Sequence, residues 1–244
     1  MKNTRLLAID SATEYCSVAY TDGTRLISRG QEAPRKHADL LLPYAQEVLQ
    51  DAGVTLADID AIVVGHGPGS FTGVRIAAGI AQGLAFSQQI PVIGISSLAA
   101  MAQQTLRLHG AKAAAVAIDA RMGEVYFGTY VAENGLMLQK GSVQENEIVC
   151  TPNMVPQLSA EHEWHAAGTG FVTYAEALPE RLIGAENGEN NVKLVASDVR
   201  FPHAEDMLTL GLHAFLHGQG VMAEEFDVRY VRNEVTWQKL PGRE

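Results

Sequence analysis

The chain has 244 residues, 47% of them hydrophobic, and a formal net charge of −10. That length fits one large domain or two modest ones, each with its own core, and the acidic balance argues against direct nucleic-acid binding, which needs clustered Lys and Arg. Two cysteines, Cys16 and Cys150, have no metal-type spacing, no apolar run approaches the ~20 residues of a membrane span, and no signal-peptide core precedes the first strand, so a cytoplasmic chain is expected.

Residues 5–9, 15–20 and 24–29 read as three short strands joined by tight turns, with Asp22-Gly23 marking a hairpin. From 39 to 52, Leu41, Ala45, Val48, Leu49 and Ala52 recur at helical spacing, with Pro43 placed in the first turn and Gly53 closing the helix. The run "AIVVG" at 61–65 predicts a buried strand. Thr72 is expected to cap a helix running to about residue 88, and another strand begins at Ile90. Strand and helix alternate here as in a parallel sheet.

Between the 61–65 strand and that helix lies the glycine loop "GPGSFTG", containing Gly67, Gly69, Ser70, Thr72 and Gly73. A strand-to-helix turn of this kind offers backbone amides and a positive dipole end to an anion. It lacks the Gly-Lys-Ser/Thr ending of a phosphate loop, the nearest cation being Arg75, and it lacks the third glycine of a dinucleotide turn. The favoured reading is structural: the loop glycines take positive φ and shape the start of a helix that meets another protein. That helix carries Ala77, Ala78, Gly79, Ala81, Gly83 and Ala85. Glycine inside a helix costs about 1 kcal/mol relative to Ala, so Gly79 and Gly83 need a compensating reason, and close approach of another helix supplies one. Packing on the chain's own sheet is the alternative.

The second half echoes the first. "AIDSATEYCSVAY" at 8–20 recurs as "AIDARMGEVYFGTY" at 117–130, and each copy is followed by a third strand candidate, 24–29 and 136–141. A strand at "EWHAA", a Gly-Thr-Gly turn, a helix through Ala177 and an amphipathic helix over 203–217 follow. The expected fold class is α/β, with two similar lobes, each a mixed sheet with flanking helices: a first lobe over 1–100, a second over 101–218, and a tail over 219–244 that returns to the first. Paired lobes opening on antiparallel strands whose turn carries an Asp resemble the actin and sugar-kinase ATPases, in which two such turns face each other across a cleft and hold phosphate and magnesium. Asp10 and Asp119 occupy the matching positions, but their turns lack the glycines that bring phosphate against bare backbone, which predicts a degenerate site.

The strings "GHGPGSFTGVR", "AIDARMGEVY", "GTG" at 168–170 and "YVRNEVTWQKLPGRE" at the end resemble the TsaB family, also called YeaZ, over essentially the whole chain. The resemblance implies a non-catalytic paralogue of TsaD, the subunit that transfers threonylcarbamoyl to adenosine 37 of tRNAs reading codons that begin with A. It also implies partnership with TsaD and with the ATPase TsaE. Where TsaD holds a metal through a histidine pair, this chain has Ser97 and Met101, neither a convincing ligand. No catalytic residue, metal or resident cofactor is therefore expected, with ATP or ADP at a boundary between subunits left open. The expected partner-facing residues are Leu41, Ala45, Val74, Arg75, Ala78, Gly79, Gln82 and Gly83, and a homodimer through the same helices would compete. His213 and His217 stand at zinc-pair spacing without a third ligand. Two enzymatic alternatives are a kinase-like ATPase using Asp10 and Asp119, and a peptidase assembled from Ser70, His66 and Asp119 without a nucleophile elbow.

Overall fold

The structure, a computed structural model, describes residues 3–139, 147–184 and 191–231; the expectations for Arg232, Asn233 and the rest of the final string lie outside them. The first sheet holds β1 (Leu6–Asp10), β2 (Tyr15–Thr21), β3 (Leu26–Glu32), β4 (Ala61–Gly65) and β5 (Val92–Ile95) in the order β3-β2-β1-β4-β5. β1 runs antiparallel to β2, with Asp10 opposite Ser17, and parallel to β4, with Ile9 opposite Val64. The second sheet holds β6 (Ala113–Arg121), β7 (Glu124–Glu133), β8 (Leu136–Leu138), β10 (Glu163–Ala167) and β11 (Lys193–Ala196) in the order β11-β10-β6-β7-β8, with β9 (Glu147–Cys150) also paired to β7. Each sheet thus opens with an antiparallel meander and continues, on the other side of its first strand, with two parallel strands. This is the two-lobed actin-like plan, and it places Asp10 and Asp119 at equivalent strand ends.

Among the described residues, six α-helices cover the sheets. On one face of the first sheet, α1 (His37–Ala52) and α2 (Phe71–Gln88) bury Leu41, Val48, Ala77, Ala81 and Ala85 against Leu7, Ile9, Ile62 and Val64. On its other face lies α6 (Ala204–Leu216), whose Met207 and Leu208 meet Leu6, Ala8 and Val63. A Cβ at Gly211 would press on the Val63 side chain, so glycine lets α6 close onto β4. α6 falls within the stretch expected to form the second lobe, yet it packs on the first sheet. Sequence order and layer order part here because an amphipathic helix is held by whichever apolar surface it meets.

α3 (Ser97–His109) covers the second sheet and also touches α6, so these two helices form the layer between the sheets. Arg107 of α3 joins them through a two-pronged bond to Asp206 (2.7 and 2.9 Å) and a contact of 2.6 Å to Glu205. On the outer face of the second sheet, α5 (Ala177–Ile183) buries Leu178 and Leu182 beside Trp164 and Phe127. The expected single helix through Ala177 is instead α4 (Gly170–Thr173) followed by α5. The outcome is a stack of α1/α2, first sheet, α6/α3, second sheet and α4/α5, with α1 and α2 outermost at one end.

Three local expectations are revised. α1 begins at His37 rather than 39, which puts Pro43 inside the helix, where it removes the bond to the Asp39 carbonyl. Ser70, not Thr72, caps α2: its φ and ψ are −60° and 121°, and its Oγ accepts the Gly73 N–H at 3.2 Å. Of the loop glycines Gly67 has positive φ (100°), whereas Gly69 and Gly73 do not. They are glycine because a Cβ would overlap the carbonyl oxygens of Ala12 and Ser11. Residues 219–231 run back along the first lobe: Val221 pairs with Val92 (2.8 and 3.0 Å), and Gln82 Nε2 donates to the carbonyls of Ala223 and Phe226 (both 3.0 Å).

Gly73→Ala and Gly69→Ala are expected to cost about 2 kcal/mol or more, because backbone must move to admit the methyl group. Gly79→Ala, where a Cβ meets nothing within 4 Å, is expected to raise stability by up to about 1 kcal/mol. Calorimetric midpoints for the three variants check this, and equal midpoints would contradict the close approach.

Candidate functional site

Between the lobes lies a cleft of about 760 Å³, lined among others by Thr13, Ser70, Asp119, Arg121, Thr169 and Arg200. Asp119 enters it from the β6–β7 turn, where Arg121, Met122 and Gly123 all have positive φ (63°, 57° and 81°). The carboxylate is engaged by its own turn: Oδ1 accepts the Arg121 N–H at 2.9 Å and Oδ2 the Arg121 Nη1 at 3.2 Å. Arg121 also reaches across the cleft to Glu14 at 3.4 Å. An occupied carboxylate with a guanidinium beside it is poorly placed to hold a magnesium ion.

Asp10 does not face Asp119. Its side chain is fully buried and points at Gly65, where any Cβ would overlap it, beside Met207. Oδ2 accepts the Ala12 N–H at 3.3 Å, and Oδ1 has no partner among the described residues. Burial drives its pKa up to about 7, against the pull of the Ala12 and Ser11 backbone bonds. The two matching aspartates therefore differ in setting, and the pair that the kinase-like alternative needs across the cleft is not formed. Burial, helped by nearby Asp10, also pushes the Cys16 thiol up to about 12, which leaves it inert.

The glycine loop is sewn to the end of β1. The Ser70 N–H donates to the Ala12 carbonyl at 2.7 Å, the Gly73 N–H to Ser70 Oγ, and Ser11 Oγ–H to the Gly73 carbonyl at 2.9 Å. Two of the amides that would cradle phosphate are thus used internally. The peptidase triad is not assembled either. His66 packs by Gly94 and Phe226, and burial, then Arg229, lowers its pKa to about 4. Ser70 Oγ accepts from Gly73, while Asp119 sits on the other lobe bound to Arg121. Among the described residues, the one cluster with metal-ligand spacing is His203, Glu205 and Asp206, and Arg107 already neutralises its two carboxylates. Ser97 and Met101 are buried within α3.

The outer face of α1 and α2 divides the expected partner-facing residues in two. Leu41, Ala45, Val74 and Ala78 are buried at 0 to 5% exposure in the chain's own core, and of these Ala45 also lines the groove between the two helices. They are the apolar stripe that seats the helices on the sheet. Arg75, Gly79 and Gly83 are exposed and continue the row begun by Phe71, at four-residue spacing along one helix face. Gly79 and Gly83 have open space where a Cβ would stand, which removes packing on the chain's own sheet as their reason. Gln82 is half-buried and holds residues 223 and 226. Sequence reasoning missed Phe71 (68% exposed), Phe86 (65%) and Leu42 (48%). The signal for them was available: α2 has 18 residues and one charge, Arg75. A groove of about 520 Å³, lined by Leu42, Pro43, Leu49, Leu56 and Leu84 among others, runs between the two helices.

Comparison with known proteins bears on this face and cleft. The family model "TsaD: tRNA N6-adenosine threonylcarbamoyltransferase" matches residues 30–140. The "tRNA threonylcarbamoyladenosine biosynthesis protein TsaB" of Escherichia coli is 45% identical, covering 98% of this chain and 100% of that relative. The protein of the same description from Haemophilus influenzae is 42% identical, with both chains covered in full. The crystallised "YeaZ from Pseudomonas aeruginosa" superposes with a TM-score of 0.81 at 44% identity, covering 93% of this chain and 99% of that one.

Asp10 predicts a pH dependence. Its folded pKa, about 7, lies above the ordinary 3.8, so its contribution to stability is fully present below about pH 4 and is lost as pH rises through about 7. At about 1.4 kcal/mol per unit the loss is a few kcal/mol. Urea unfolding at pH 5 and pH 8 should show wild type losing stability relative to Asp10→Asn; parallel pH profiles would contradict it.

Proposed function

The chain belongs to the TsaB family, and from that premise we propose that it serves tRNA threonylcarbamoyladenosine biosynthesis as a non-catalytic subunit, docking a TsaD-type transferase through the outer face of α1 and α2. The observation that carries this reading is the exposed row Phe71, Arg75, Gly79 and Gly83, with Phe86 and the apolar groove beside it. Bare helix glycines permit close approach of another helix, and exposed aromatic rings supply apolar area that water would otherwise cover. The cleft favours the same reading from the other side, since Asp10 is turned inward and Asp119 is spent on Arg121.

In this role the subunit contributes binding energy that selects a competent arrangement of the transferase, with TsaE as the third member, and the modified base is adenosine 37 of tRNAs reading codons that begin with A. The net charge of −10 leaves tRNA contact to the partners. The same face supports a homodimer in the absence of the transferase, and the two assemblies compete. The cytoplasm is the proposed location, consistent with free Cys16 and Cys150 and with no described helix long and apolar enough to cross a membrane.

Light scattering on the chain alone and mixed with its TsaD paralogue tests the proposal. A heterodimer should form at the expense of any homodimer, and Gly79→Leu or Gly83→Leu should weaken it at least tenfold while leaving the melting midpoint nearly unchanged. ATP turnover by the isolated chain, lost on Asp119→Asn, would favour the kinase-like alternative instead.

A further inference from the structure

The cleft-side end of the docking face is built differently from the rest of it. The Arg75 guanidinium lies 3.4 Å from the centre of the Phe71 ring and 4.9 Å from that of Tyr230, and the two rings are 6.3 Å apart. Its Nη1 donates to the Phe71 carbonyl at 3.0 Å. The fork is thereby fixed in direction before any partner arrives, with one hydrogen bond from it among the described residues. A cation held between exposed aromatic rings loses solvent when a partner covers it, and it then needs a carboxylate at its free edge.

Tyr230 comes from the returning C-terminal segment, and a buried ion pair fixes its place. The preceding residue, Arg229, donates its N–H to the His66 carbonyl and Nη1 to Glu147 Oε2, both at 3.0 Å. Glu147 belongs to the second sheet and is 3% exposed. Its Oε1 accepts from Ser96 Oγ at 2.5 Å and from the Tyr130 hydroxyl at 2.6 Å. Ser96 is also the N-cap of α3, accepting the N–H groups of Leu98 and Ala99. The chain of contacts therefore runs from the second sheet, through Glu147 and Arg229, to Tyr230 on the outer face of the first lobe.

We infer that Phe71, Arg75 and Tyr230 form the anchor of the docking face, that Arg75 receives a carboxylate side chain of the transferase subunit, and that Glu147 and Arg229 are the positioning pair that holds Tyr230 against Arg75. The inference rests on the docking role proposed above and deepens it by naming the partner's chemistry. Charge complementarity selects this occupant: the arginine is the single charge on α2, so an anionic side chain is what pairs with it. A preorganised aromatic and arginine cluster also has the composition of an interface hot spot.

The test is titration calorimetry against the TsaD paralogue at two salt concentrations, with melting midpoints recorded in parallel. Arg75→Gln and Tyr230→Ala are each expected to weaken binding about tenfold or more, and Arg75→Gln to reduce its salt dependence. Glu147→Gln is expected to weaken binding in the wild-type background and to have no further effect in Tyr230→Ala. If Glu147→Gln does not fold, Arg229→Lys is read in its place. Undiminished affinity in Arg75→Gln and Tyr230→Ala, with wild type binding normally, overturns the anchor alone. An equal loss from Glu147→Gln in both backgrounds overturns the positioning pair. Self-association that is weakened by Arg75→Gln while transferase binding is unchanged would assign the carboxylate to a second copy of this chain and overturn the transferase as its source. No binding by wild type overturns the docking role itself and the anchor with it.

Discussion

The backbone crossing at the end of β1 governs much of what surrounds it. Ser11 and Ala12 run so close to the glycine loop that Gly69 and Gly73 have no room for a Cβ, and two hydrogen bonds tie the two segments together while a third caps the helix within the loop. With the Ser70 and Gly73 amides drawn inward, the loop sets the start and direction of α2 in place of holding a phosphate. Once α2 is seated with Ala77, Ala81 and Ala85 on the sheet, its period turns Arg75, Gly79 and Gly83 to solvent. The geometry that draws the loop amides inward is thus the geometry that turns this row outward.

The second lobe shows how far duplicated parts have moved apart. Gly168 and Gly170 cross β6 beside Ala117 as Gly69 and Gly73 cross β1, with the same exclusion of a Cβ. The strand-end aspartates have not kept equal roles. Asp10 has become a buried carboxyl whose neutral form the fold favours, and Asp119 has become the anchor of a left-handed turn. Arg121 then bridges the lobes to Glu14. Neither aspartate is left with the free, solvated oxygens that an ion and its waters require.

The antiparallel opening of the chain and the two mixed sheets were legible because the echoed "AID" strands carry their own period and turn signals, and α1 and α2 were legible from spacing and from Gly53. The direction in which each helix faces was harder. α2 is so rich in alanine and glycine that apolar periodicity scarcely separates its buried side from its exposed side, and Val74 and Ala78, expected to face a partner, are buried, as are Leu41 and Ala45 on α1. A Ser and a Thr two residues apart are equivalent capping signals, and the pull of Ala12 on the Ser70 amide decided between them. The placement of α6 and the Glu147 cluster were not legible at all, because Ser96, Tyr130 and Arg229 lie 51, 17 and 82 residues from Glu147. Contacts at such separations leave no local pattern.

The most direct measurement is the threonylcarbamoyladenosine content of tRNA, by mass spectrometry of nucleosides, from cells whose own copy of this subunit is replaced by one of two variants. The first removes the cleft groups, Asp119→Ala with Arg121→Ala, and the second fills the docking face, Gly79→Leu with Gly83→Leu. A docking subunit predicts near-normal modification with the cleft variant and a large loss with the face variant, both present as folded protein. Loss with the cleft variant and normal modification with the face variant would place the chemistry in the cleft and contradict a docking subunit.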